Sequence, residues 1–342
     1  MRLWGVSMVR NEEDIVEAFV RHNLTRLDGL VVVDHGSTDR TLEILDALRT
    51  EQLPIVVLKS ETVGYLQAEI TTQASRDAFA RADADAVFPI DADEFLRIPS
   101  RPVLERALAA LPPGHYGQIA WPTFVPPLDG RPRGILETLR VSRRAAAKRA
   151  SEGHAPHPKS RKVVLTRRFA QEPAAMLVMG NHYVILDRGP RATGVPHVLL
   201  PASVVELCHV PVRSIAQFVV KIATQHLARV AAHRHFQPGS VRQRAIDALK
   251  RGEPMTTEHL FGAHAVAPGS PDVALASAPT VDNGDEPPFL ADIALRYTPA
   301  GRDDPLPVVT AAVERLVRRI RRGRDGGQPA PPGPAIAVAG RP

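Results

Sequence analysis

Leu30-Val31-Val32-Val33, running straight into Asp34-His35-Gly36-Ser37-Thr38-Asp39, is the stretch on which the fold turns. Four apolar residues in a row, three of them β-branched, describe a strand buried on both faces, the habit of a parallel sheet layered between helices. The polar run behind it predicts a loop and a helix start, capped from Ser37-Thr38-Asp39, with Leu42, Leu45, Ala47 and Leu48 as the apolar face. Outward from there the rhythm repeats. Residues 2–9 read as a strand and residues 12–27 as a helix, with Ile15, Val16, Phe19, Val20, Leu24 and Leu27 at helical spacing. Residues 54–58 give a third strand, 63–82 a helix and 86–90 a fourth strand. This alternation predicts an α/β fold: one Rossmann-like, mostly parallel sheet flanked by helices, with ligands at the carboxyl ends of its strands.

Beyond Asp91 the pattern loosens. Residues 101–111 look helical, and short strands with Pro-rich turns follow to about residue 210. Residues 214–232 form a helix with Ile215, Phe218, Val219, Ile222 and Leu227 on one side, and residues 307–322 form another. Between them, residues 236–305 have weak periodicity and predict loops with a few helical turns. The expected organisation is a domain over 1–235, divided near residue 100, then a loop-rich and helical extension over 236–322, then a disordered tail over 323–342.

Composition narrows the function. The chain has 342 residues, 44% of them hydrophobic and 23% charged, which is globular composition. One cysteine excludes a disulfide framework and a cysteine-built zinc site. The 32 prolines imply many irregular connections. No charged-then-apolar leader opens the sequence, and the apolar stretch 195–212 is interrupted by Pro196, Pro201 and Pro211, so the expected location is the cytoplasm. Charge is segregated. Residues 1–130 carry 12 Lys and Arg against 20 Asp and Glu, whereas residues 131–168 carry 12 against 2 and residues 311–342 carry 7 against 2. Basic islands on an acidic body suit a phosphorylated ligand or an anionic surface, and no nucleic-acid partner is expected.

The chemistry concentrates in Phe88-Pro89-Ile90-Asp91-Ala92-Asp93-Glu94-Phe95. Two carboxylates one residue apart, directly after a buried strand, can both reach a hard divalent cation that bridges diphosphate oxygens. An Asp-x-Asp alone is equally what a solvated acidic turn looks like. Two further strand-end loops, Met8-Val9-Arg10-Asn11-Glu12 and Val33 to Asp39, bring polar groups and helix N-termini to the same sheet edge, where anions bind. Each could instead serve only to cap its helix or complement its dipole.

Taken together, Val9-Arg10-Asn11-Glu12, Val33-Asp34-His35-Gly36-Ser37-Thr38-Asp39 and Ile90-Asp91-Ala92-Asp93-Glu94-Phe95-Leu96 resemble the family 2 glycosyltransferases of the glycosyltransferase-A fold, in the bacterial branch with an Asp-Ala-Asp-Glu-Phe core. Gly180-Asn181-His182 and Cys208-His209-Val210-Pro211-Val212-Arg213-Ser214, leading into Gln217-Phe218, resemble later motifs of that branch, so the likeness spans roughly residues 1–225. The resemblance implies a nucleotide-diphosphate sugar donor, a saccharide or lipid-linked acceptor, and transfer with inversion. It assigns residues 1–100 to the nucleotide-sugar half and 101–235 to the acceptor half of a catalytic domain. It implies that Asp91 and Asp93 hold Mn2+ or Mg2+, with His209 as an additional metal or phosphate contact. Nucleotide-sugar contacts fall by motif position on Val9, Arg10, Asn11, Glu12, Asp34, Gly36, Ser37, Asp39, Asp91 and Ala92, and phosphate or acceptor contacts on Glu94, Lys162 and His182. Many relatives carry a second acidic residue where this chain has His35, so the nucleobase stays open.

Inverting transfer also needs a carboxylate to take the acceptor proton. No Glu-Asp pair stands where relatives carry that base; Glu137, Glu172 and Glu206 are the candidates, and none is singled out. His154 with His157 and His233 with His235 have ligand-like spacing but no evident companion ligand. Val313, Leu316, Val317 and Ile320 form an apolar stripe flanked by arginines. Residues 311–324 are therefore a candidate peripheral contact with the inner face of the membrane, or a helix docked on the protein's own body. Two other functions compete: a nucleotidyltransferase of the same architecture, and a non-catalytic module binding anionic polymer or membrane.

Overall fold

Strand β1 (Leu3–Val9) lies in the middle of the parallel half of the sheet, paired on one side with β2 (Gly29–Asp34) and on the other with β4 (Ala86–Pro89). All six residues of β2 are buried, as the unalternating Leu30–Val33 run predicts. Strand β3 (Ile55–Lys59) pairs parallel with β2. The connections are α1 (Val16–Leu24), α2 (Thr41–Thr50) and α3 (Gln67–Arg81). These elements belong to a computed structural model that describes residues 1–60, 62, 64–126, 133–144, 161–187, 192–256, 259, 289–301 and 304–325.

The sheet extends past β4 with a change of direction. Strand β9 (Arg161–Thr166) pairs antiparallel with β4 and with β6 (Tyr116–Ala120). Strand β14 (Glu206–His209) joins β6 in parallel and β5 (Glu94–Arg97) antiparallel, with His209 opposite Glu94. The order is β3-β2-β1-β4-β9-β6-β14-β5, with β13 (His197–Leu199) on β6. This is the α/β architecture the sequence predicts, a parallel half joined to a mixed half.

Two apolar layers flank the sheet. One gathers Phe19, Leu45, Phe88, Phe95 and Leu207; the other packs α3 through Ile70, Ala74 and Phe79 against Val31, Val87 and Leu165. Packing is tight where glycine is required. A Cβ at Gly29 would stand 2.6 Å from the Trp4 ring, so Trp4 is a core residue of the β1–β2 seam. Gly29→Ala is expected to destabilise the chain by about 1–3 kcal/mol, measured as a lower midpoint in urea melts with unchanged slope.

The C-terminal part is more ordered than its weak periodicity suggests. Helix α7 (Ile215–Ala231) starts at Ser214, whose Oγ accepts from Gln217 N, and α8 (Val241–Lys250) starts at Ser240 in the same way. The segment 289–301 returns to the first layer, where Phe289 and Leu290 are buried, and the buried Glu17 carboxylate accepts from the backbone of Arg296, Tyr297 and Thr298. Helix α9 (Leu306–Asp325) runs on into the stretch expected as a disordered tail. It docks through Val308 and Ala312, which are buried, while Val313, Val317 and Ile320 of the expected stripe stay exposed. No described helix is long and apolar enough to cross a membrane. His154, His157 and the middle of the basic island (145–160) lie outside the described residues, as does the chain beyond 325.

Candidate active site

The sheet order creates a switch point. From β1 the chain builds β2 and β3 on one side, then returns to lay β4 on the other. Loops leaving the carboxyl ends of two such strands diverge and leave a crevice between them. Here it is a cleft of about 560 Å3, lined by Arg10 and Glu12 from the β1 loop, Asp91, Ala92 and Asp93 from the β4 loop, and Lys221 from α7. Trp121, Lys162, His182, His209, Arg229 and Arg242 also line it. Five lysines and arginines thus face three carboxylates, a surplus that suits a ligand of two or more negative charges.

Every acidic group in the cleft is held. Asp91 accepts from Lys162 Nζ at 2.9 Å and from Gln67 Nε2 at 2.8 Å. Asp93 accepts from Lys221 Nζ at 2.7 Å, and His209 Nε2 lies 3.8 Å from its other oxygen. Glu12 is bound by Arg213 at 2.5 Å, and Arg213 also reaches Asp14 at 2.8 Å. Burial opposes ionisation of Asp93, but the Lys221 and Arg213 charges outweigh it and hold the carboxyl far below its usual range. Burial pushes the His209 imidazole down to about 3, so it is neutral at physiological pH and able to give a lone pair. Its ring stacks on Trp121 with centroids 4.4 Å apart.

The donor set fits a divalent cation. One ligand atom each from Asp93, Glu94 and His209 lie within 4.8 Å of one another, and of these Asp93 and the neutral His209 line the cleft. Carboxylate oxygens with an imidazole nitrogen are ligands that Mg2+ or Mn2+ can accept. Asp91, two residues before Asp93, faces the same cleft with its side chain 29% exposed, so it can meet a ligand.

The expected residues divide into three groups. Arg10, Glu12, Asp91, Ala92, Asp93, Lys162, His182 and His209 converge on the cleft. Val9, Asn11, Asp34, Gly36, Ser37 and Asp39 do not line it and instead lock the β1 and β2 tips together. Asn11 N donates to Ser37 Oγ at 3.0 Å, Asn11 Oδ1 accepts from Thr38 N at 2.7 Å, and Asp34 accepts from Gly36 N at 3.1 Å. Asn11 takes φ +56° to make this link. The capping role expected of Ser37 and Asp39 is only half present: Asp39 accepts from Thr41 N, but its other oxygen accepts from Glu13 N across the loops.

Glu94 needs correction as a phosphate or acceptor contact. It is fully buried, and its oxygens accept from Asp91 N at 2.8 Å, Trp121 Nε1 at 2.7 Å and Lys162 Nζ at 2.7 Å. Burial, with Asp91 and Asp93 nearby, pushes it up to about 8. Its place is under the β4 loop, holding Asp91 and Trp121 in position. The three base candidates need correction too, since none reaches the cleft. Glu137 is largely exposed beside Arg133, Glu172 borders a separate smaller pocket, and buried Glu206 is paired with Arg97 and Arg144. His233 and His235 do not line the cleft either.

Lys221, Arg229 and Arg242 escaped the sequence reading. They sit at polar positions of amphipathic helices, and nothing local separates a cleft-facing lysine from a solvated one. Trp121 carried no motif, and the pairing of β14 alongside β6, with His209 N donating to Pro122 O at 2.9 Å, brings His209 beneath its ring.

With this geometry in place, residues 6–118 match the family model described as glycosyl transferase family 2. That segment, about a third of the chain, is similar to glycosyltransferase family 2. The matched segment runs from β1 into β6 and contains the whole switch point. Among solved structures, the chain is similar to the mannosyltransferase PcManGT from Pyrobaculum calidifontis in complex with GDP-Man and Mn2+, at 15% identity over 96% of this chain and 88% of that one, with a TM-score of 0.37. It is similar to glucosyl-3-phosphoglycerate synthase from Mycobacterium tuberculosis in complex with Mn2+, UDP and glucosyl-3-phosphoglycerate, at 20% identity over 49% and 57% of the two chains, TM-score 0.27. It is also similar to GalNAc-T7 with UDP, GalNAc and Mn2+, at 12% identity over 63% and 44%, TM-score 0.34. Comparison with curated proteins gives no match.

Proposed function

We propose that this chain transfers a sugar from a nucleotide-diphosphate sugar to an acceptor hydroxyl, saccharide or lipid-linked, with inversion. The observation that carries this reading is the juxtaposition, at one switch point, of Asp91 and Asp93 with Lys162, Lys221 and Arg10. Asp93 and His209 would hold Mn2+ or Mg2+, with Asp91 completing the set once a ligand displaces Lys162. When bound, the cation supplies Lewis-acid neutralisation of the charge that develops on the departing diphosphate. Lys162 and Lys221 each already grip a carboxylate, and a shift of either ammonium onto the diphosphate adds a second positive contact. Glu94 keeps Asp91 and Trp121 in place throughout. Asp34, Gly36, Ser37, Asp39, Val9 and Asn11 act in this reading by holding Arg10 and Glu12 at the cleft.

The products test the proposal. Incubation with a panel of nucleotide-sugars and Mn2+ is expected to release nucleoside diphosphate. Release of pyrophosphate from a sugar phosphate and a nucleoside triphosphate would assign the nucleotidyltransferase reaction instead. A matched nucleoside diphosphate with Mn2+ at a hundred times its Kd is expected to stabilise the fold by about 2.7 kcal/mol, measured by thermal shift, and by much less without the metal.

A further inference from the structure

Helices α7 and α8 lie outside the matched residues 6–118, yet both contribute side chains to the cleft. Lys221, Thr224, Gln225 and Arg229 all line it, at the i, i+3, i+4, i+8 spacing of a single helix face. At a rise of about 1.5 Å per residue that face runs for about 12 Å, with Lys221 on Asp93 at one end and Arg229 two turns beyond. Arg242, in the first turn of α8, lines the cleft near Arg229. The Arg229 guanidinium lies over the Tyr65 ring at 5.5 Å and the Phe236 ring at 4.8 Å, and its Nη2 donates to Met179 Sδ at 3.5 Å. Its Nε is buried and makes no hydrogen bond among the described residues.

The cations of the cleft differ in whether a carboxylate holds them. Lys162 pairs with Asp91 and Glu94, and Lys221 with Asp93 and Glu12. Arg229 and Arg242 pair with no carboxylate among the described residues. The contact chain from Arg229 to the acidic pair passes instead through neutral groups: Tyr65 Oη donates to Gln67 Oε1 at 3.3 Å, and Gln67 Nε2 donates to Asp91 at 2.8 Å. Burial, with Arg242 and Arg234 nearby, lowers Arg229 from its ordinary value. Two aromatic faces and a thioether fix the direction of the guanidinium but leave most of its five donors unused. A planar fork so placed, with a second guanidinium beside it, matches the oxygens of a phosphate or a carboxylate.

We propose that Arg229 and Arg242 bind a phosphate or carboxylate group carried by the acceptor, so that the acceptor of this chain is an anionic molecule; this rests on the nucleotide-sugar reading above. In that reading Lys162, Lys221 and the cation serve the donor diphosphate. The cleft face of α7 then leads from the reacting hydroxyl to the arginine pair, with Thr224 and Gln225 lining the stretch between. The pair selects for the acceptor's charge and takes no part in holding the nucleotide.

Titration calorimetry on the full chain, saturated with Mg2+ and its best nucleoside diphosphate, tests this with inorganic phosphate, glucose, glucose 6-phosphate and glucuronate as probes. The better of the two charged sugars is expected to bind at least about tenfold more tightly than glucose, and which one it is tells phosphate from carboxylate. Arg229→Gln combined with Arg242→Gln is expected to abolish that advantage and the binding of inorganic phosphate, with the nucleoside diphosphate within about twofold of the parent. Arg244→Gln, exposed on α8 and outside the cleft lining, is expected to change nothing. Equal affinity for charged and neutral sugars in the parent overturns the proposal, and so does an advantage that survives in the double variant. A double variant that also loses the nucleoside diphosphate overturns it, because the arginines then serve the donor. If the double variant melts early, Arg242→Gln alone decides, since that side chain is exposed: a loss of at least about threefold for inorganic phosphate supports the pair, and unchanged binding overturns it. A parent that binds no nucleoside diphosphate refutes the donor reading. Phosphate binding that the double variant then loses still supports an anion site at this pair, and phosphate binding that it keeps refutes both.

Discussion

Asp91→Asn and Asp93→Asn are each expected to lower kcat/KM for sugar transfer by about a thousandfold or more, because the Lewis-acid stabilisation that the proposed function assigns to a cation at this site would be worth several kcal/mol in the transition state. The two substitutions differ in what else they disturb. Asp93 is buried and paired with Lys221, so its loss strands a half-buried ammonium whose remaining acidic neighbour is Glu12 at 3.8 Å. Breaking a buried pair in this way typically costs about 3–5 kcal/mol, and a lower melting temperature is expected to accompany the loss of activity. Asp91 is partly exposed and Lys162 keeps Glu94 as a second partner, so Asp91→Asn is expected to fold normally and fail catalytically. Steady-state kinetics over a Mn2+ series, beside melting curves for both variants, separate the two effects. Full turnover by Asp91→Asn at ordinary metal concentration would remove the cation from the proposed mechanism.

Glu17→Ala is expected to be the most damaging substitution away from the cleft. The side chain is fully buried on α1 and accepts five hydrogen bonds: from Arg21 Nε, from the backbone N–H groups of Arg296, Tyr297 and Thr298, and from Thr298 Oγ1. Truncation leaves three partly buried N–H donors and a guanidinium with part of its compensation gone, a loss of about 2–4 kcal/mol. That is a large share of a typical domain's stability, and limited proteolysis is expected to cut within 289–301. The pH dependence follows from the same contacts. Burial works against the charge on Glu17, but the hydrogen bonds prevail and hold its carboxyl below the ordinary value of 4.5. A carboxylate depressed on folding stabilises above its unfolded pKa, and that contribution is lost as pH falls through the folded value. The gap between the parent and Glu17→Gln in urea melts is therefore expected to be widest above pH 4.5 and to narrow below it.

What the sequence revealed depended on whether the signal was local. Leu30–Val33, the helical spacing from Ile15 to Leu27 and the Asp91-Ala92-Asp93 run are each legible within a dozen residues, because burial on both faces, helix period and strand-end position leave their mark in the chain itself. His209 could be placed only through its resemblance to a late family motif, since its distance to Asp93 is set by the β5–β14 register. Glu94 was misread for the same reason. Beside two cleft-facing aspartates it looks like a third ligand-facing acid, yet it begins β5, and the alternation of the strand turns it inward. Ser37 and Asp39 satisfy the pattern of a helix cap, but the structure spends them partly on the neighbouring strand tip. Helix α9 shows the reverse case. Its conspicuous apolar stripe stays exposed, and docking runs through small Ala312 and Val308 with two arginines beside them, a face that hydrophobic periodicity alone does not select.

The bond from Thr38 to Val308 joins residues 270 positions apart. A contact of that span cannot form while a ribosome still holds the intervening chain, so the switch-point strands can be assembled well before α9 arrives. The newborn sheet would pass through an interval with the Gly36 turn uncovered, and chaperone dwell or nicking by cellular proteases should concentrate at that turn until translation has moved beyond the helix.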